Sequence, residues 1–187
     1  FNATCGGGLV LNKDVYDMQP GEALQLINFE PSTEGGYRRL NGTTKYNSTI
    51  VPQVSSANER VQMSAIFNDK IIAGRGGTVS YGTTSGSWTS LATSLGTTNT
   101  YDFDKFNFDG TSKIIVATGQ AAAFTVNTSF TVDVINATGG GSAPTNPKFV
   151  KSFANHIFYG GMSNSTHSII FSVPFSEDNF TSGSGAG

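Results

Sequence analysis

Asn68-Asp69-Lys70-Ile71-Ile72-Ala73-Gly74 opens on turn-forming polar residues, passes through a lysine into an aliphatic pair and ends on small residues. The same order returns 43 residues later as Thr111-Ser112-Lys113-Ile114-Ile115-Val116-Ala117. A further 43 residues lead to Ile157, inside Ala154-Asn155-His156-Ile157-Phe158-Tyr159-Gly160. A phenylalanine stands just upstream of each copy, at Phe67, Phe108 and Phe153. At the same spacing Tyr81 falls on Phe124 and Trp88-Thr89 on Thr131-Val132, while Phe175 lies 43 residues beyond Val132. Short apolar runs bounded by turn residues read as strands. A period of about 40–50 residues built from such runs is the pattern of a four-stranded β-propeller blade. One such sheet cannot bury both of its faces alone, and stacking gives each face a neighbour.

The repeat defines the organisation. Residues 1–55 form an N-terminal segment rich in strands and turns, and residues 56–187 hold about three blade-like repeats. Closed propellers need roughly four to eight blades. Three would leave open sheet edges, which template association unless they are paired or covered. The reading therefore expects a chain that continues or edges covered by other subunits. The opening on Phe1 rather than Met is expected either from a removed start or from a segment of a longer product. Thr181-Ser182-Gly183-Ser184-Gly185-Ala186-Gly187 reads as linker-like, and Gly139-Gly140-Gly141-Ser142-Ala143-Pro144 as a soft joint between the second and third copies.

Composition supports an all-β chain. Of 187 residues only 13% are charged, about half the usual share, and the formal net charge is −2. That excludes a highly charged disordered chain and a basic nucleic-acid-binding module. Leu, Ile, Val and Phe together number 44, about 24%, above the level of about 20% where disorder sets in. The remainder is dominated by Gly, Thr, Ser and Asn, residues of turns and strand surfaces. No apolar run approaches the roughly 18 residues of a membrane-spanning helix, and no basic-then-apolar leader opens the chain. The single cysteine, Cys5, has no internal disulfide partner. A meander of short antiparallel strands is the expected fold, with a β-sandwich as the alternative.

Residues 1–50 alternate pattern and turn. Gly6-Gly7-Gly8 leads into Leu9-Val10-Leu11, Gln19-Pro20-Gly21-Glu22 is a turn, and Glu34-Gly35-Gly36-Tyr37 is another. Between them, Ala23-Leu24-Gln25-Leu26-Ile27-Asn28-Phe29 fits a short helix or a buried strand, since seven residues do not separate the two periods. The whole segment reads as a β-meander.

Side chains that could carry chemistry are few. Asp102, Asp104, Asn107 and Asp109, within Tyr101-Asp102-Phe103-Asp104-Lys105-Phe106-Asn107-Phe108-Asp109-Gly110, are hard oxygen ligands of the type calcium prefers. Their spacing is not that of a calcium loop. Alternation explains them more simply: Tyr101 and Phe103 on one face of a half-buried strand, Asp102 and Asp104 on the other, then an Asp-Gly turn. His156 and His167 stand eleven residues apart without further ligands at zinc spacing, and His156 reads as a satisfied core or edge polar residue. Cys5 has no base near it in sequence. Gly74-Arg75-Gly76-Gly77 lacks the Gly-Lys-Ser/Thr ending of a phosphate loop and reads as turn chemistry. Tyr81-Gly82-Thr83-Thr84-Ser85-Gly86-Ser87-Trp88 is similar to the hairpin of sialidase-type propellers, but Ser85 occupies the acidic position. Trp88 then reads as an anchor packed between blades. Seven Asn-x-Ser/Thr triplets, at Asn2, Asn41, Asn47, Asn127, Asn136, Asn164 and Asn179, would be glycan acceptors in a chain that passes through a eukaryotic secretory route, and read more simply as the product of a composition rich in those residues. Arg38-Arg39 is a lone basic pair. No catalytic, cofactor-binding or metal-binding residue is assigned, no cofactor is expected, and the chain is not read as an enzyme.

The N-terminal segment carries a more specific likeness. Phe1-Asn2, Gly6-Gly7-Gly8-Leu9, Pro20-Gly21-Glu22-Ala23, Asn28-Phe29-Glu30-Pro31 and Gly35-Gly36-Tyr37-Arg38-Arg39 together resemble tailed-bacteriophage virion proteins with propeller-like domains. The nearest group is the tail nozzle (tail tubular protein B) of short-tailed phages. Ile169-Ile170-Phe171-Ser172-Val173-Pro174-Phe175-Ser176-Glu177-Asp178-Asn179-Phe180 resembles the blade-closing segment of such proteins. The likeness covers about half the chain and rests on turn-and-strand patterns. It implies a mechanical role in the virion: a β-rich subunit of a symmetric assembly serving genome delivery or host attachment. Its implied partners are identical subunits in a ring, neighbouring virion proteins and DNA passing without specific binding, with host-surface glycan as a further one. Two other readings stand beside it. A secreted or surface-displayed adhesin would bind glycans through exposed aromatics. A propeller glycosidase would need paired carboxylates drawn from Asp69, Asp102, Asp104, Asp109 and Glu177.

Overall fold

The computed structural model describes residues 8–19, 22–23, 25, 27–31, 37–40, 42, 44–54, 59–108 and 110–187. Among the described residues it is all-β, built from short, mostly antiparallel sheets, with no closed barrel. The chain divides into two units, residues 1–45 and 46–187. Residues 46–54, which the sequence groups with the N-terminal segment, belong to the second unit.

In the first unit β1 (Gly8–Leu9) pairs with β2 (Glu22–Ala23) and β3 (Phe29–Pro31) pairs with β4 (Tyr37–Arg39). The β1–β2 pair is parallel, so this unit is not the simple meander its turns suggest. A 3₁₀ turn at Val15–Asp17 lies between them, and the Asp14 carboxylate caps it by accepting the Tyr16 N–H. The Lys13 ammonium donates to Glu22 at 2.8 Å and holds that carboxyl below its ordinary range. Arg38 pairs with Glu30 at 2.7 Å, directly across the β3–β4 ladder. The stretch after Ala23 is neither one helix nor one strand. Asn28, at φ 60°, turns the chain into β3, while Leu24 and Leu26 lie outside the described residues.

The second unit is where the repeat materialises. Its first sheet is β5 (Val61–Phe67), β6 (Lys70–Arg75), β7 (Thr78–Gly82) and β8 (Trp88–Ala92), joined in chain order. The second sheet repeats the plan with β9 (Asp102–Phe106), β10 (Lys113–Ala117), β11 (Phe124–Asn127) and β12 (Val132–Val134). The third has three strands, β13 (Phe149–Phe153), β14 (His156–Met162) and β15 (Ser165–Phe171). Ile71, Ile114 and Ile157 all sit on the second strand of their sheets and pair with Ile66, Lys105 and Ser152. This is a meander of short antiparallel strands with a period that matches the sequence.

Register also corrects one detail. Lys70 pairs with Phe67, Lys113 with Phe106, and His156 with Phe153. The phenylalanine equivalent to Phe67 and Phe153 is thus Phe106, not Phe108. The reason is the hairpin: two residues, Asn68 and Asp69, join β5 to β6, whereas residues 107–112 join β9 to β10. Asn68 and Asp69 take φ 46° and 59°, as a tight two-residue turn matched to strand twist requires. Gly76 and Gly77 at φ 52° and 83° make the equivalent turn between β6 and β7, so the turn read in Gly74-Arg75-Gly76-Gly77 falls on its last two residues while Gly74 and Arg75 end β6.

Two cores hold the sheets face to face. The first joins Met63, Ala65, Phe67, Ile72 and Val79 of the first sheet to Ile114, Val116, Phe124 and Val126 of the second. The second joins Phe106, Ile115, Ala117 and Ala123 to Val150, Ile157 and Tyr159 of the third. Neighbouring residues of β10 therefore serve opposite cores, and Ile114, Ile115, Val116 and Ala117 are all fully buried. Two-sided burial is why this strand reads as a continuous apolar run rather than an alternating one.

Tyr159 anchors the second core. Its hydroxyl donates to the Glu177 carbonyl at 2.8 Å and its ring meets Phe180 edge-on. Burial, with added repulsion from Glu177 and Asp178, pushes its ionisation well above the ordinary tyrosine range. A pKa raised on folding means stability is intact below the unfolded value of about 10 and falls as pH rises above it. Urea melts from neutral to strongly alkaline pH should show this fall, and Tyr159→Phe should flatten it while costing about 1 kcal/mol at neutral pH for the lost hydrogen bond.

The C-terminal stretch departs from the linker expectation. Gly187 exchanges both backbone hydrogen bonds with Phe171, and Phe180 N–H donates to the Gly140 carbonyl. The glycine-rich joint is pinned at the same place, because a side chain at Gly141 would collide with the Phe180 carbonyl. Glycine serves close approach here rather than looseness.

Candidate interaction face

Each sheet of the second unit has a leading face and a trailing face. Ile72, Ile115 and Phe158 occupy one repeat position on the leading face, directly after Ile71, Ile114 and Ile157 on the trailing one. The leading face of the first sheet packs on the second, and that of the second packs on the third. The leading face of the third sheet has no such cover among the described residues. Phe67 and Phe106 are 5% and 7% exposed, but their equivalent Phe153 is 70% exposed.

Around Phe153 the face is aromatic. Phe149 and Ile169 are also largely exposed. Phe158 stacks at a tilt on Phe171, with centroids 5.3 Å apart, and His156 meets Phe171 edge-on at 5.6 Å. The His156 ring nitrogen Nδ1 lies 2.6 Å from the Ser172 carbonyl, so this histidine is a satisfied polar residue at the edge of an apolar patch, as its sequence context suggests. His167 is exposed on β15. A shallow groove of about 410 Å³ crosses the face, lined by Phe149, Phe158 and Ile169 with Lys151 and His167 at its rim.

The acidic run of β9 sits behind this face and has a structural task. Tyr101 and Phe103 point into the first core while Asp102 and Asp104 point toward the third sheet, as alternation predicts. Asp102 accepts the Val150 N–H at 3.0 Å and Asp104 accepts the Ser152 N–H at 2.7 Å, while Lys151 lies 3.2 Å from Asp104. Two carboxylates thus take over the ladder of β13 where no strand pairs with it. Asn107 is exposed in the following hairpin, and Asp109 lies outside the described residues.

The other acids do not gather around one point among the described residues. Asp69 lines a separate groove of about 620 Å³ of mixed character at the hairpin ends, with Ile66, Phe106, Lys105, Asn107 and Thr128. Glu177 pairs with Lys113. No three His, Cys, Asp or Glu side chains converge among the described residues. Cys5 lies outside them.

Trp88 occupies a different place from the one read in the sequence. Its indole covers Gly82 on the trailing side of the first sheet and donates to the Thr49 carbonyl at 3.2 Å. It clamps residues 46–54, whose Asn47 donates to the Thr83 carbonyl, rather than packing between two sheets. Alternation tells which residues share a face but not what covers that face, so both this clamp and the bare face of the third sheet escaped the sequence. Unequal hairpin lengths hid the one available signal, the equivalence of Phe67, Phe106 and Phe153.

Compared with family models, curated proteins and solved structures, the chain matches none, and its reading rests on its own residues and geometry. No helix among the described residues is long and apolar enough to cross a membrane.

Proposed function

We propose that this chain is a structural subunit of a symmetric assembly, of the kind that forms the tail or nozzle of a tailed-bacteriophage virion. The observation that carries the assembly part is the leading face of the third sheet, where Phe153 stands exposed at a position that both other sheets bury. An exposed, contiguous aromatic patch on a folded unit marks an interaction site. Ring symmetry turns one such contact into many. The phage assignment is supported by the likeness of the N-terminal and Ile169–Phe180 patterns to tail nozzle proteins. A mildly acidic chain suits a wall along which DNA passes, since carboxylates repel phosphates.

The native mass of the purified chain tests the reading. Mass photometry should give a symmetric multiple of 19.6 kDa. A monomer that holds at high concentration would overturn it. The glycan-binding reading draws on the groove beside Phe149, and a stable monomer with saturable sugar binding would favour it instead.

A further inference from the structure

The third sheet is one strand short of its two predecessors, and the missing place lies beside β15. Where the repeat would put a fourth strand, residues 174–180 turn away: Phe175 N–H donates to the Asn155 carbonyl, and Phe180 enters the second core. Among the described residues, the last residue of β15 alone has a backbone partner on its outer side, Phe171 with Gly187. From Ser165 to Ile170 the outer edge pairs with nothing among the described residues.

This edge carries neither charge nor proline and is uncovered among the described residues, and its one irregularity is a bulge between its pairings with Gly160 and Met162. Natural edges are kept short, carry charges or proline, or are covered. The outer strand of the second sheet has three residues with Asp133 at its centre, and that of the first has five. β15 has seven residues, Ser-Thr-His-Ser-Ile-Ile-Phe. No Asp, Glu, Lys or Arg occurs anywhere from Ser152 to Ser176. An uncharged edge suits its own copy in particular, because like charges directly opposite would otherwise oppose pairing.

We propose that β15 pairs antiparallel with β15 of a second copy across a two-fold axis near His167–Ser168. A two-fold contact between identical edges brings the same residues together from both sides. Main-chain hydrogen bonds then supply the attraction, as in other strand-addition contacts. The product is one six-stranded sheet, β13-β14-β15 continued by the partner's three strands. It extends the exposed leading faces of the two copies into a single aromatic surface. The proposal rests on the assembly reading above and names one of its contacts.

Two substitutions test it. Ser168→Lys places a charge on an exposed edge position, and its two-fold copy lies close by. Ile169→Pro removes one outward N–H: Phe171 directs its amide outward to Gly187, and alternation along the strand directs that of Ile169 the same way. Sedimentation velocity over a wide concentration range should show the unmodified chain passing from monomer to dimer. Ser168→Lys should weaken the dimer several-fold and Ile169→Pro more, with thermal melting and circular dichroism of the monomers unchanged. A dimer that survives both changes overturns the β15 contact and leaves the assembly reading standing. An unmodified chain that stays monomeric overturns both. A dimer lost in both variants but never joined into larger rings upholds the contact and overturns the ring.

Discussion

Replacing Ile115 with alanine is expected to lower the free energy of unfolding by about 2–5 kcal/mol, the range for truncating a large aliphatic side chain in a packed core. Ile115 is fully buried on the middle sheet, among Phe106, Ile157 and Tyr159 of the second core. Its neighbours belong to two sheets drawn from distant parts of the chain. Ile114→Ala should cost a similar amount by opening the first core instead. Ile66→Ala should stay within about 0.5 kcal/mol, because that isoleucine is 68% exposed. Urea denaturation of the three variants checks the ranking. Equal losses at Ile115 and Ile66 would sink the assignment of faces.

The second large effect concerns Asp102 and Asp104. Either one changed to alanine should cost about 1–3 kcal/mol, since a charge-assisted hydrogen bond is lost and a backbone donor is left unmet. Val150 is 2% exposed, so its N–H would find little water in place of Asp102. The two carboxylates serve the same strand from positions two residues apart, so the double change should depart from the sum of the singles. Asp133→Ala, at an exposed position on β12, is the control and should be nearly neutral. Hydrogen exchange gives the decisive reading: the Val150 and Ser152 amides should exchange faster in the variants while those of β10 do not. If all amides accelerate equally, the carboxylates act on global stability and not on the joint between sheets.

Much of the fold was legible because the repeated apolar pair Ile71-Ile72, Ile114-Ile115 and Ile157-Phe158 lies on the second strand of each sheet of the second unit, and in β10 packing from both sides constrains it most. The strand reading of Tyr101–Asp104 succeeded for a related reason: one face of β9 is apolar core and the other meets a polar joint. What the joint does was not legible. Asp102 and Val150 are 48 residues apart in the chain, and no local pattern announces that a carboxylate will serve a distant amide. Trp88 was misplaced because a large aromatic beside a glycine looks the same whether a sheet or a loop covers it. The N-terminal β1–β2 pair was misread because turn residues signal reversal, whereas the intervening 3₁₀ turn brings β2 alongside β1 in the same direction. The bare face of the third sheet could be seen only once register fixed which phenylalanines are equivalent.

The unequal cover of the three sheets gives the molecule a direction. Each sheet touches its chain neighbours, so loosening the middle one means breaking two cores, while loosening the third means breaking one core and the two aspartate contacts. Stability in such a stack is a sum of nearest-neighbour terms, and it is lowest at the least covered end. The third sheet is therefore expected to open before the middle one. The surface best suited to hold a partner lies at that end of the stack, and a partner seated there would act as a clasp on it.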